Sequence, residues 1–265
     1  MGTTVIFNVT YPSKIYVDGD RNEPTVFVSL RDEGRVKKWV KGMPDGMEVG
    51  GEYLMCEAVW VDKEKNVYMT SVMKHSVYKW SPRTNIKTVV AGRENYQGLM
   101  SDTLNSPEGI YVDDISGTVY VADYANNRIQ KWLKDASNGT TIAGFTTGNE
   151  GNDAESLSNP TAVRVDDETQ VVYVADSSNN RIQRWLPNAF FGDTVAGGLG
   201  WGHEPNQFEQ PVDLDFDNYG NLYVCDRVNS RVLMFKIVLN EPCFPVSTTT
   251  SGYLFLRISV LTILS

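Results

Sequence analysis

The chain has 265 residues, of which 41% are hydrophobic and 11% aromatic, so it can bury a sizeable core and lacks the composition of a disordered protein. Its 33 acidic residues outnumber its 24 lysines and arginines, and the net charge of -9 makes nucleic acid an unlikely partner. Three cysteines and two histidines are too few for a disulfide framework or a metal site built on several histidines.

The N-terminal residues do not resemble a targeting segment. Residues 1–6 have neither the basic region nor the long apolar region of a signal peptide. We therefore expect either a cytosolic protein or an incomplete N-terminus, and the compartment stays unknown.

Five short segments share a pattern of alternating apolar residues followed by an Asp. They are residues 14–18, 58–62, 109–113, 162–166 and 213–217. An alternation of period two predicts a β-strand with two unlike faces. Turn residues follow each segment, and a second and a third strand then form a hairpin, most clearly in residues 119–132. A fourth strand follows in three copies, at residues 87–92, 139–144 and 193–197.

The hairpin recurs with similar residues in every copy. Val119–Trp132 is repeated at residues 172–185 and 222–235, with weaker copies at 26–39 and 67–80. The period is roughly 40 to 50 residues, which is typical of propeller blades, because one small sheet cannot bury its two faces alone. The sequence therefore predicts an all-β propeller of four-stranded antiparallel blades.

These copies resemble the NHL repeat. The resemblance rests on the patterns Pro-x-Gly-Ile-x-Val-Asp, Val-Tyr-Val-Ala-Asp and Asn-Asn-Arg-Ile-Gln, and it extends from about residue 12 to about residue 236. It implies a propeller that usually has six blades, whereas five repeats are recognisable here. Residues 2–6 resemble a fourth strand, so we predict a closed five-bladed ring completed by the N-terminal strand, with an incomplete six-bladed propeller as the alternative.

The composition changes near residue 240, which divides the chain into a propeller domain, 1–240, and a C-terminal tail, 241–265. The tail is rich in Ser and Thr and ends in 13 largely apolar residues with Arg257 among them. This end is too short to span a bilayer as a helix. An extra packed strand is the favoured interpretation, and a removed lipid-anchor signal is the alternative.

An Asp and an Arg recur at the two ends of the hairpin in three of the repeats. The predicted structural pairs are Asp123 with Arg128, Asp176 with Arg181, and Asp226 with Arg231. A catalytic site needs one special place, whereas these pairs return in successive blades. We therefore assign them to the structure, and no catalytic and no metal-binding residue is predicted.

The long connections between blades offer rings and charges on one face of the predicted propeller. The candidate partner-binding residues are Arg93, Tyr96, Phe145, Trp201, His203 and Phe208. Long irregular loops on a rigid scaffold are a usual place for recognition.

The leading functional interpretation is a non-catalytic scaffold that binds a protein or peptide on this face, with no cofactor. The alternative is a metal-dependent hydrolase or lyase of a related propeller class, and less favoured is an RNA-binding propeller. Among enzymes that share the resemblance are the peptidyl-hydroxyglycine lyases, but the histidines with which they hold zinc have no counterparts here. The sequence therefore favours a protein that is not an enzyme.

Overall fold

The computed structural model describes residues 9, 11–19, 24–51, 55–238 and 257–262, and within them the chain forms five antiparallel sheets of four strands. The innermost strands are β1 (Pro12–Asp18), β5 (Cys56–Val61), β9 (Ile110–Val112), β13 (Pro160–Val165) and β17 (Pro211–Phe216). The second strands are β2 (Thr25–Leu30), β6 (Val67–Ser71), β10 (Val119–Asp123), β14 (Val172–Asp176) and β18 (Leu222–Asp226).

The outer half of each sheet is built in the same way. The third strands are β3 (Arg35–Val40), β7 (Ser76–Ser81), β11 (Arg128–Trp132), β15 (Arg181–Trp185) and β19 (Arg231–Val238). The outermost strands are β4 (Met47–Val49), β8 (Ile86–Gly92), β12 (Thr140–Ala143), β16 (Asp193–Gly197) and β20 (Arg257–Thr262). Two short 3₁₀ turns, Tyr124–Asn126 and Ser177–Asn179, join the second and third strands of the third and fourth sheets.

The five sheets are arranged in a ring, and the protein is a five-bladed β-propeller. A small cavity of about 10 Å³ on the axis is lined by residues of all five innermost strands. The Lys14 Nζ of blade 1 donates a hydrogen bond of 2.8 Å to the carbonyl oxygen of Thr161 in blade 4 and lies 3.5 Å from the carboxylate of Asp213 in blade 5. The propeller class predicted from the repeats is confirmed, with five blades.

The last blade is completed by β20, which lies in the C-terminal part of the chain. Its six residues pair with β19 from Leu233↔Thr262 to Val238↔Arg257. Residues 2–6, which the sequence predicted to complete this blade, lie outside the described residues. The outermost position that the prediction gave to them is held by β20.

Hydrophobic side chains fill the space between neighbouring blades. Between blades 3 and 4, for example, Ile129 and Ala143 of one sheet pack with Val174 and Trp185 of the other. Comparable clusters lie between blades 1 and 2, 2 and 3, and 4 and 5. Each sheet is too small to bury its own faces, so the blades stabilise one another.

Gly109 marks the closest approach between blades 3 and 4. A Cβ atom at this position would lie 2.6 Å from the Cα of Ala162 and 2.6 Å from the carbonyl oxygen of Thr161. Both are backbone atoms of the next blade and can move only with it. We expect Gly109→Ala to lower the free energy of unfolding by roughly 1–3 kcal/mol, as overpacked sites do, in a urea titration. A Cβ at Gly220 meets no atom within 4 Å, but the φ of +77° there strains any L side chain, so Gly220→Ala measures the cost of backbone strain without a steric clash. If Gly109→Ala is as stable as the wild type, the close contact between blades 3 and 4 is contradicted.

No helix among the described residues is long and apolar enough to cross a membrane.

Candidate functional site

The strand order gives the propeller two different faces. Connections between second and third strands, and those from each outermost strand to the next blade, lie at one end of the blades, which we name the loop face. Connections between first and second strands, and between third and fourth strands, lie at the other end, which we name the turn face. The long connections of residues 93–105, 145–159 and 198–210 therefore belong to the loop face.

The three recurring Asp–Arg pairs are in contact at the loop face. The Nε atoms of Arg128, Arg181 and Arg231 lie 2.8, 2.7 and 2.8 Å from the carboxylates of Asp123, Asp176 and Asp226. All three Asp side chains are buried. They sit at directly paired positions of the second and third strands.

Each of these arginines also binds the long loop that precedes its blade. Arg128 donates hydrogen bonds to the carbonyl oxygens of Leu99, Met100 and Thr103 at 2.9 to 3.2 Å. Arg181 and Arg231 each donate to three loop carbonyls in the same way. The pairs therefore hold the long loops in one conformation, which the sequence did not indicate.

The loops present some of the predicted partner-binding residues and bury one of them. Trp201 is 71% exposed and Tyr96 is 56% exposed. The guanidinium of Arg93 stacks 4.2 Å from the ring centroid of Tyr96. Phe208, in contrast, is fully buried and packs edge-to-face against Phe235 at 5.6 Å. Phe208 therefore belongs to the core between blades 4 and 5 and presents no surface to a partner.

The other two predicted contact residues differ in exposure. His203 is exposed, and its backbone oxygen accepts a hydrogen bond from Arg231. Phe145 is half-buried.

A second set of side chains converges on the axis at the loop face. We name this set the channel mouth: Arg31, Glu57, Glu108, Tyr124 and Arg227. Glu57 and Glu108 occupy equivalent positions at the start of the first strands of blades 2 and 3, where the other copies have Ser13, Thr161 and Val212. Arg31, Tyr124 and Arg227 directly follow the second strands of blades 1, 3 and 5.

Glu108 has a strongly perturbed acidity. Burial and, to a smaller extent, the negative charge of Glu57 raise its pKa from 4.5 to about 7, against the opposing charges of Lys14, Arg31 and Arg227. No described residue hydrogen-bonds to its carboxyl group. A carboxyl group with this pKa exists in both protonation states near neutral pH, which is what acid–base chemistry requires.

Glu57 is held in place by its neighbours. Its Oε1 accepts a hydrogen bond from the hydroxyl of Ser13, and its Oε2 lies 3.3 Å from the Nε of Arg31. Arg31 itself is partly exposed. Burial raises the pKa of Tyr124, and the charge of Glu108 raises it further, whereas Arg227 and Arg31 oppose this. The charges of blades 1, 2, 3 and 5 therefore act on one another across the axis.

The channel mouth does not offer a histidine-based metal site. His75 Nδ1 accepts a hydrogen bond of 3.1 Å from the backbone N–H of Ser106, and His203 lies on the loop before blade 5. Among the described residues, no group of three or more His, Cys, Asp and Glu side chains is arranged to hold a metal ion. This donor set does not fit the zinc histidines of the peptidyl-hydroxyglycine lyases.

Sequence analysis missed the channel mouth because its members do not form a linear motif. They come from four blades and lie up to 196 positions apart, between Arg31 and Arg227. The sequence did contain a signal that could have found it. The five repeats share the residues that build the blade, but they differ in the residue at the start of the first strand and in the residue that follows the second strand. A position that varies among otherwise similar repeats carries a side chain that the fold itself does not require.

Comparison with known proteins identifies the type of repeat that forms the blades. The pattern of the NHL repeat family matches residues 104–132 and 157–185, which are the inner three strands of blades 3 and 4 with the loop residues before them. The chain is an NHL-repeat β-propeller.

Two similar proteins carry the names of enzymes of peptide amidation. Peptidyl-glycine alpha-amidating monooxygenase B of Xenopus laevis is 30% identical over 141 residues, covering 51% of this chain and 16% of the relative. The Caenorhabditis elegans protein named "Probable peptidyl-alpha-hydroxyglycine alpha-amidating lyase" is 26% identical over 151 residues, covering 56% of this chain and 42% of the relative. The match thus spans less than half the length of either protein.

Solved structures share the fold of this NHL-repeat propeller at low identity. Virginiamycin B lyase from Staphylococcus aureus has a TM-score of 0.59 at 14% identity, covering 96% of this chain and 70% of that chain. An auxiliary nutrient binding protein from Bacteroides thetaiotaomicron has a TM-score of 0.62 at 12% identity, covering 87% and 60% of the two chains.

One expectation from the sequence is corrected by these comparisons. The sequence favoured a protein that is not an enzyme, and this was wrong, because the sequence relatives are named as a monooxygenase and a lyase. The expectation relied on the lack of a linear catalytic motif. In a propeller, reactive side chains are gathered at the axis from separate repeats, so a linear motif is not needed.

Proposed function

We propose that this NHL-repeat propeller is a lyase that acts on a peptidyl substrate at the channel mouth. The observation that carries the proposal is Glu108, a carboxyl group at the axis whose pKa is raised to about 7 beside Glu57. The names of the relatives supply the reaction class and the substrate class.

The chemistry of such a lyase needs one group that takes and returns a proton. Cleavage of a peptidyl-α-hydroxyglycine breaks the bond between the α-carbon and the amide nitrogen, giving a peptide amide and glyoxylate. The hydroxyl loses a proton and the leaving nitrogen gains one, so no water and no oxidant is consumed. Glu108, which is ionised in about half of the molecules near pH 7, would accept the first proton and supply the second.

The cations of the channel mouth suit the carboxylate of the same substrate. Arg31 and Arg227 are both exposed at the loop face, and both lie close enough to Glu108 to lower its pKa. An arginine binds a carboxylate through two parallel hydrogen bonds. We assign these two residues to substrate orientation and Tyr124, beside Glu108, to the wall of the site.

The rest of the peptide would extend over the loop face. We propose Arg93, Tyr96, Phe145, Trp201 and His203 as the surface that it contacts, supported by the exposure of Tyr96 and Trp201. The long loops are already held by hydrogen bonds from Arg128, Arg181 and Arg231, so they lose little conformational freedom when a peptide binds. This favours a higher affinity for the peptide.

The test is an assay of the full chain with a short peptidyl-α-hydroxyglycine, in which the release of glyoxylate is measured. We expect turnover by the wild type and a rate lower by about a hundredfold in Glu108→Gln, the size of a typical loss of acid–base catalysis. Glu57→Gln removes a charge that raises the pKa of Glu108, so its pH–rate profile should shift to lower pH.

Glu204→Gln provides the matched control, because Glu204 is an exposed carboxylate of the same face and its rate should equal that of the wild type. The proposal fails if the wild type releases glyoxylate no faster than buffer does. It also fails if Glu108→Gln and Glu204→Gln have the same rate.

A further inference from the structure

The axis of the propeller holds a lysine just below the channel mouth. In each blade, the residue that follows the level of Glu57 and Glu108 begins the repeated first-strand segment. These five residues are Lys14, Ala58, Gly109, Ala162 and Asp213. Three of them are Ala or Gly, whereas Lys14 and Asp213 line the small axial cavity with charged side chains. The side chain of Lys14 therefore occupies space that the small residues of the other blades leave open.

The side chain of Lys14 reaches across the axis and is fixed at its far end. Its Nζ donates a hydrogen bond of 2.8 Å to the carbonyl oxygen of Thr161 in blade 4 and lies 3.5 Å from the Oδ1 of Asp213 in blade 5. Thr161 is the blade 4 equivalent of Glu108, so the ammonium group lies at the height of the backbone that carries Glu108. The Lys14 side chain is only 11% exposed, and water therefore screens its charge weakly.

The carbonyl oxygen of Thr161 also connects Lys14 with blade 3. A Cβ atom on Gly109, the residue after Glu108, would lie 2.6 Å from this oxygen. The ammonium group of Lys14 and the backbone next to Glu108 thus approach one and the same atom. In agreement with this geometry, the charge of Lys14 lowers the pKa of Glu108 more than the charge of Arg31 or of Arg227 does.

The backbone that carries Lys14 is fastened to Glu57, the other carboxylate of the channel mouth. The backbone N–H of Lys14 donates to the hydroxyl oxygen of Ser29 at 2.9 Å, and this hydroxyl donates to the carbonyl oxygen of Glu57 at 2.8 Å. The hydroxyl of Ser13 donates to the carboxylate of Glu57. The position of Lys14 is therefore fixed relative to the site, as a positioning role requires.

The positive charges near Glu108 differ in what happens to them when a substrate binds. Arg31 and Arg227 are exposed, and a substrate carboxylate bound to them would neutralise their effect on Glu108. Lys14 is largely buried and has Asp213 and Thr161 as partners, so its charge stays in place. The other groups that face Glu108 are the carboxylate of Glu57, the phenol of Tyr124, the carboxylate of Asp213 beside Lys14, and the uncharged Thr161.

We propose that Lys14 is a positioning residue of the channel mouth, whose fixed positive charge below Glu108 favours the ionised, proton-accepting form of that carboxyl group when the substrate is bound. The catalytic meaning of this inference rests on the proposed lyase function. Without Lys14, a buried carboxyl group beside Glu57 would keep its proton and could not accept the proton of the substrate's hydroxyl group. Lys14 itself forms no bond with the substrate.

The test is an NMR titration of the full chain, labelled with ¹³C at the Cδ of its glutamates, which needs no substrate. The resonance that is absent from Glu108→Gln belongs to Glu108. We expect its titration midpoint near pH 7 in the wild type and about one pH unit higher in Lys14→Met, which removes the charge and keeps an unbranched side chain. The pH dependence of kcat for glyoxylate release reports groups in the substrate complex, and it should shift in the same direction.

Asp213→Asn breaks the same ion pair as Lys14→Met, but its expected effect has the opposite sign. It removes a negative charge and leaves Lys14 without its counter-ion, so the midpoint of Glu108 should fall below the wild-type value. A purely structural role of the ion pair would give both variants the same effect.

Lys65→Met is the matched control for the loss of a lysine. It removes an exposed ammonium group and its ion pair of 2.8 Å with Asp18 on the turn face. Salt and water screen an exposed charge at that distance, so the midpoint of Glu108 should change by less than about 0.2 pH unit.

Two results would overturn the proposal: a midpoint in Lys14→Met that is no higher than in the wild type, or a midpoint in Asp213→Asn that is no lower. The second comparison uses an isosteric change, so it decides the matter even if Lys14→Met does not fold. If the wild type releases no glyoxylate while the midpoints move as expected, the lyase function fails and the electrostatic role of Lys14 remains. If the wild type is active and the midpoints do not move, only the role of Lys14 fails.

Discussion

Replacing Asp123 with alanine is expected to lower the free energy of unfolding by roughly 3–5 kcal/mol, the usual loss when one partner of a buried ion pair is removed. Asp123 is fully buried and its partner Arg128 is only 2% exposed. The Asp123 carboxylate accepts hydrogen bonds from the backbone of Asn105 at 2.6 Å and from Asn126 and Arg128 at 2.8 Å each. Its removal leaves the guanidinium charged, buried and without its counter-ion.

The equivalent pair of blade 5 provides the control for this prediction. Arg231 has a side chain that is 17% exposed, so water can partly replace the carboxylate of Asp226. Asp226→Ala should therefore cost less than Asp123→Ala in the same chemical denaturation. The double variant Asp123→Ala/Arg128→Ala should cost less than the sum of the two single variants, because it leaves no unpaired charge. Two results would show that burial of the ion pair does not cause the loss of stability. One is an equal loss of unfolding free energy in Asp123→Ala and Asp226→Ala, and the other is a double variant whose loss equals the sum of the two single variants.

The repeats predicted the blades down to single residues for a physical reason. In a hairpin, the pairing of two strands is fixed by the turn, so copies with turns of the same length place Asp123 opposite Arg128 and Asp176 opposite Arg181. At the equivalent positions of blades 1 and 2, Leu30 pairs with Arg35 and Ser71 pairs with Ser76. These contacts are local in the chain, and local patterns carry them.

Contacts that depend on closure of the ring could not be predicted in this way. At the channel mouth, Glu108 of blade 3 lies near Arg227 of blade 5 only because the five blades share one axis. The strand β20 was likewise missed as the end of blade 5, since its residues, Arg257–Thr262, lack the Ala-Gly pair that ends the predicted fourth strands at residues 87–92, 139–144 and 193–197. Phe208 was misjudged because a ring within a long loop was assumed to be exposed, whereas it fills the space between two blades.

The stability of the protein should also depend on pH through Glu108. The folded state holds the pKa of Glu108 at about 7 instead of 4.5, so between these two values the native protein keeps a proton that the unfolded chain has lost. Unfolding therefore releases a proton in this window, and stability falls as pH rises from about 4.5 to about 7 and is then constant. The shift corresponds to a contribution of roughly 3 kcal/mol.

The difference between wild type and Glu108→Gln isolates this contribution, because other titrating groups affect both proteins alike. Glutamine is neutral at every pH, so we expect the variant to gain roughly 3 kcal/mol of stability relative to the wild type between pH 4.5 and pH 8. Urea denaturation at a series of pH values measures this difference. In Glu57→Gln, where a charge that raises the pKa of Glu108 is gone, the loss of stability should end at a lower pH. A difference between wild type and Glu108→Gln that stays constant across this range would mean that Glu108 is ionised at neutral pH, and the acid–base role proposed for it would then lack its physical basis.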